Sequence, residues 1–169
     1  MRSRWTVRFA CGALTAAVAA AALPASAEGA RRASLTKRDE AAVERARDGA
    51  ARRLADAECR RVFSDFHDAK GRALEQKLEQ WAMDPAEYLR IVPFVDGTGE
   101  HLCRREEVRL VSTPNVPRVI VCPGFAQVER LQREAAAIMV IHEVLHTLGL
   151  GENPPTSAEI TRRVEARCR

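Results

Sequence analysis

Apolar residues recur along the first half of the chain at spacings of three and four. Val43, Ala46, Ala50, Leu54 and Ala57 follow one another in this way, which predicts a long amphipathic helix over 36–61, with Thr36 or Asp39 near its N-cap. The charged residues between them form a solvated face. A short aromatic segment at 62–67 interrupts the pattern. Helical character then resumes over 69–82, with Leu74, Leu78 and Trp81 facing inward. Asp84 and Pro85 supply an N-cap and a first helical residue for a short helix through Leu89.

The period changes in the middle of the chain. An apolar run at 91–95 ends at the turn cluster Asp96-Gly97-Thr98-Gly99. Two β-branched runs, 108–112 and 119–122, flank Thr113-Pro114-Asn115-Val116-Pro117 and predict an antiparallel hairpin whose prolines guard a sheet edge. From Phe125 through Leu148 the period is helical again, with Ile138, Ile141, Leu145 and Leu148 as an apolar stripe. Beyond Asn153-Pro154-Pro155, Thr156 or Ser157 can cap a last helix over 158–167. These elements predict an α+β domain: a small antiparallel sheet packed on the helix that ends near Leu148, with the long N-terminal helix beside it.

The N-terminus is set apart from this pattern. Arg2, Arg4 and Arg8, the apolar run 9–23 and Ala25-Ser26-Ala27 have the three parts of an export signal, so residues 1–27 are expected to be removed and 28–169 to form one domain. The apolar run is shorter than the roughly 20 residues of a membrane span, so no stable span is expected after cleavage. Residues 28–36 are small, polar and basic, and predict a fraying start.

Removing the signal alters the charge picture. The whole chain carries 27 basic and 23 acidic residues, a net of +4, and the signal holds three arginines and no acid. The remainder is almost neutral and poor in aromatic residues, without the basic patch and stacking platform that nucleic acid requires. Of the five cysteines, Cys11 leaves with the signal. Cys59, Cys103, Cys122 and Cys168 remain and, in an exported chain, predict two disulfides with three possible connectivities. A secreted or periplasmic location follows.

The chemistry lies in His142-Glu143-Val144-Leu145-His146. Residues four apart share one face of a helix, so both imidazoles can bind one zinc ion, with Glu143 beside it as general base. A catalytic zinc site normally takes a third protein ligand and leaves one position open. Gly149 stops the helix, and Gly151 loosens the turn that carries Glu152 back toward the metal. Glu159, in the first turn of the last helix, is the rival third ligand. His67 is a weaker alternative, and an isolated histidine of this kind is more often structural.

The spacing of His142, His146, Gly149 and Glu152 resembles the extended motif of the metzincin branch of zinc peptidases, with Glu in place of the usual last His or Asp and no following Met. In the gluzincin branch the third ligand is a Glu from a later helix, which keeps Glu159 as the rival to Glu152. The stretch from Val119 to Cys168 is also similar to a group of small exported bacterial proteins of zincin type. The resemblance implies a minimal zincin-like fold and a zinc metallopeptidase that hydrolyses a peptide or protein substrate. The substrate would lie as an added strand along 108–112 or 119–122, with Tyr88 or His101 as a further oxyanion donor. A non-catalytic exported zinc-binding or structural module is the alternative reading.

Overall fold

The structure, a computed structural model, describes residues 34–169. The export signal expected at 1–27, the start of the polar segment after it and Cys11 lie outside the described residues. The elements run α1 (Lys37–Leu54), α2 (Ala57–Arg60), α3 (Val62–Asp65), α4 (Leu74–Gln80), α5 (Pro85–Ile91) and β1 (Phe94–Asp96). A 3-10 turn (His101–Arg104) follows, then β2 (Leu110–Ser112), β3 (Val119–Val121), α6 (Phe125–Leu131), α7 (Arg133–Thr147) and α8 (Ser157–Arg167). This is an α+β arrangement, as the patterning predicts.

Helix starts follow local chemistry closely. Thr36 caps α1 by accepting from the Asp39 amide, and Asp84 and Glu87 form a capping box at α5 with Pro85 in its first turn. The ends depart from expectation. The first helix stops at Leu54, because Asp56 takes an extended conformation and caps a separate turn by accepting from the Glu58 amide. Likewise the helix expected over 125–148 breaks at Gln132, whose extended φ of −143° cannot continue it, giving α6 and α7. The segment expected to resume at 69 is a turn through Gly71, and α4 begins only at Leu74. Trp81, expected inside, is 51% exposed.

The core is the face of α1 carrying Ala42, Val43, Ala46, Ala50 and Leu54, laid against α6 and α7. Glu129 of α6 is buried there and accepts a bidentate hydrogen bond from Arg45 at 3.0 and 2.5 Å. α7 is apolar nearly all round and sits at the centre of the molecule, covered by α1, α6, α8 and the sheet.

The sheet has the order β1-β3-β2. β2 and β3 pair antiparallel, with Val111 opposite Ile120, as the hairpin predicts. β1 adds to the other side of β3 in parallel, Phe94 opposite Val119, so the sheet is mixed where an antiparallel one was expected. The reason lies in β3: its three residues are all buried, and a strand with no solvent face takes a partner on each side. β3 is therefore no edge, and of the two runs expected to receive a substrate strand only β2 has an open side.

Two disulfides complete the frame, Cys59–Cys168 and Cys103–Cys122. The first ties the end of α8 to α2, and the second ties the 3-10 turn to the end of β3. Gly97 makes room for the second: a Cβ there would lie 2.6 Å from Cys103 Sγ and 2.5 Å from the Ile120 side chain. Both bridges suit an oxidising environment. Among the described residues no helix is long and apolar enough to cross a membrane.

Candidate metal centre

His142 and His146 project from the same face of α7, one turn apart, and their Nε2 atoms approach to 3.1 Å. Both rings are buried, at 5% and 4% exposure. Each outer nitrogen has a partner: His142 Nδ1 lies 2.9 Å from Thr161 Oγ1 on α8, and His146 Nδ1 donates to the Leu150 carbonyl at 2.8 Å. A carbonyl only accepts. His146 therefore carries its proton on Nδ1 when neutral, and its Nε2 lone pair points at His142.

The chain beyond α7 is folded back by a Schellman cap. The Gly149 amide donates to the His146 carbonyl at 2.8 Å and the Leu150 amide to the Leu145 carbonyl at 3.2 Å. Gly149 has a φ of +108°, which a side chain would strain. Lys77 donates to the Leu148 carbonyl and to Asn115 Oδ1, both at 2.6 Å, where its charge also suits the helix C-terminus. This reversal puts the Leu150 carbonyl under His146 and brings Glu152 round, its Oε1 3.5 Å from His146 Nε2.

One donor atom from each of His142, His146 and Glu152 lies within 4.8 Å of the others. A tetrahedral zinc with bonds of 2.0–2.1 Å spaces its ligands roughly 3.3 Å apart, and the His142–His146 and His146–Glu152 separations of 3.1 and 3.5 Å bracket that value, with His142 and Glu152 no more than 4.8 Å apart. Two imidazoles and a carboxylate, with the outer nitrogens already engaged, fit a divalent metal ion. The Glu152 side chain is 42% exposed, so the cluster opens to one side.

That side is a groove of about 570 Å³. Its walls are β2, the 3-10 turn, Glu143 and His146 of α7, and Glu152 and Ser157 from the returning chain. Val108, Leu110, Val111 and Leu102 give it an apolar portion, and Arg105 and His101 at the turn, with Ser112, Glu143 and Glu152, make the rest polar. Burial, aided by neighbouring His146, pulls the His142 imidazole down to about 4, so it is neutral at ordinary pH, as a metal ligand must be. Burial pushes the Glu143 carboxyl up to about 8, and the charge of Glu152 adds to this. The adjacent Ser112 acts in the opposite sense, although its own buried Oγ makes no hydrogen bond of normal geometry.

The remaining sequence candidates separate cleanly. Glu159 is committed to its own helix: its carboxylate accepts from the Thr156 amide at 2.7 Å and the Thr156 hydroxyl at 2.8 Å, and these bonds hold its pKa below the usual range. Of the two rival carboxylates, Glu152 is the one brought to the histidines. His67 is exposed, pairs through its backbone with Ala73 and is not one of the clustered residues. Tyr88, considered as an oxyanion donor, is buried, and its hydroxyl meets Thr147 Oγ1 at 2.9 Å on the core side of α7. His101 does line the groove. Thr161, Leu150 and Ser112 escaped the sequence reading because no local pattern marks them. The one available hint was a polar Thr161 beside the apolar positions Ile160 and Val164.

No family model matches the chain, and no curated protein or solved structure matches it.

Proposed function

We propose that this protein is a zinc-dependent peptidase, exported to a periplasmic or extracellular compartment. The observation that carries the reading is the convergence of His142, His146 and Glu152, two of which line a groove that Glu143 and the residues of the outer strand β2 line as well. His142, His146 and Glu152 would hold the ion. Zinc bound there supplies a Lewis acid that polarises a carbonyl and lowers the pKa of water toward neutrality.

The chain's own groups do the rest. The open backbone of β2 pairs with an extended peptide as an added strand, and the apolar wall of the groove takes its side chains. In its ionised form, which a bound cation beside it would favour over the raised value of the metal-free site, Glu143 accepts the proton of the attacking water and hands it to the leaving amine. His101, which also lines the groove, is the candidate donor toward the carbonyl oxygen. The export signal expected at 1–27 and the two disulfides support the compartment.

Metal content and cleavage of an unstructured peptide mixture test this for wild type, Glu143→Gln, Glu152→Ala and Glu159→Ala. Wild type is expected to hold about one zinc per chain. Glu143→Gln should retain zinc and lose cleavage by about 10²–10⁴-fold. Glu152→Ala should lose zinc, whereas Glu159→Ala should keep it and lose only its part in the Thr156 capping box. Zinc without cleavage that depends on Glu143 would replace this reading with a non-catalytic metal-binding module, and absence of metal would end both.

A further inference from the structure

The two histidines are held by different kinds of partner, and the difference has a chemical consequence. The Leu150 carbonyl can only accept, so His146 always presents a bare Nε2 when neutral. The Thr161 hydroxyl can accept or donate. When it accepts, His142 carries its proton on Nδ1 and both Nε2 lone pairs face one point. When it donates, His142 carries its proton on Nε2, 3.1 Å from the His146 lone pair, and the rings bond to each other.

Thr161 does not take the easier local option. A helical threonine often bonds to a carbonyl one turn back, as Thr147 does to the Val144 carbonyl at 2.7 Å. Among the described residues, the side-chain hydrogen bond of Thr161 goes to His142 instead. α8 is also anchored at both ends, which fixes where that hydroxyl sits. The Thr156–Glu159 capping box holds its start, and Cys59–Cys168 together with the Arg167–Asp65 pair holds its end.

We propose that Thr161 is a positioning residue that selects the tautomer of His142, and so decides between a pair of imidazoles open to a metal and a pair bonded to itself. The inference rests on the zinc-site reading above. It extends that reading to α8, which contributes no ligand yet sets how readily the ligands accept one. Metal-bound histidines depend on such outer partners for orientation and basicity.

The test uses the full chain with Thr161→Val, which removes the hydroxyl at nearly constant shape, and Thr161→Ser, which keeps it. Zinc affinity is measured by competition with a chromophoric chelator, and melting is followed in excess EDTA. Thr161→Val is expected to weaken zinc binding by about 10–100-fold with its melting in EDTA unchanged, and Thr161→Ser to bind like wild type. Nitrogen-15 spectra of the zinc-free Val variant should show His142 protonated at Nε2, a readout that packing alone does not move.

Equal zinc affinity in wild type and Thr161→Val would overturn the inference while leaving the zinc site standing. So would a Ser variant as weak as the Val variant, since packing would then explain the loss. Should Thr161→Val melt early, the affinity of the Ser variant decides the matter alone. Wild-type protein that takes up no zinc would overturn the underlying site reading and this inference with it.

Discussion

His142 and His146 are the same residue one helical turn apart, and their surroundings make them different. One faces a carbonyl that can only accept, the other a hydroxyl that can accept or donate. Asp68 shows environment acting on a residue in a simpler way. It is buried, and the Arg72 guanidinium, then the Arg72 and Lys70 amides, hold its carboxylate down to about 2. The ordinary aspartate value, taken for the unfolded chain, is 3.8. Because the folded pKa is the lower, the stabilisation is complete above the unfolded value and is lost as pH falls toward the folded one. Urea midpoints of wild type and Asp68→Asn should therefore differ at pH about 6 and converge as pH approaches 2. A gap that persisted at the acid end would show that the carboxylate's charge is not what stabilises the turn. Neither the Asp68 turn nor the His142–Thr161 bond was visible in the sequence, since an aspartate or a threonine by itself does not declare its partner.

Among the elements, α7 and the chain just after it show how far local rules reach. The i, i+4 spacing of His142 and His146 places them on one face of any helix, and Gly149 stops that helix where a left-handed residue is needed. What the cap then does is tertiary. It aims the Leu150 carbonyl at His146 and carries Glu152 to the cluster, while the antiparallel bridge between Asp68 and Leu150 holds the reversed segment. Gly149→Ala places a Cβ at positive φ, 2.6 Å from Asn115 Oδ1. It should cost about 1–3 kcal/mol in denaturant unfolding and weaken zinc binding as well. Stability lost with zinc affinity intact would detach the cap from the metal site. The helix breaks at Asp56 and Gln132 were the least legible features of the chain, because apolar spacing continues across both and only backbone conformation marks the interruption.

For the molecule as a whole, the long bridge does the wider work. Cys59–Cys168 spans a sequence separation of 109 and fixes α8, while Cys103–Cys122 spans 19 and fixes one wall of the groove. Chain-entropy reasoning puts the first near 4–5 kcal/mol and the second near 3. Replacing Cys59 and Cys168 by Ser should lower the unfolding free energy by the larger amount and weaken zinc uptake through α8. A greater loss from the short bridge would contradict this ordering. The sequence by itself determined what repeats locally: where helical character lies, the cap at Asp84, the hairpin, and His142, Glu143 and His146 on a single helix, while it narrowed the other two caps to Thr36 or Asp39 and Thr156 or Ser157. Only the tertiary structure decided the pairing of the four cysteines, the central place of β3, the structural use of Tyr88 and the choice of Glu152 over Glu159. The physical reason is one of range. Periodicity and capping act within a turn or two of chain, whereas two chemically identical carboxylates seven residues apart are told apart only by what the folded chain brings beside each, Thr156 for one and His146 for the other.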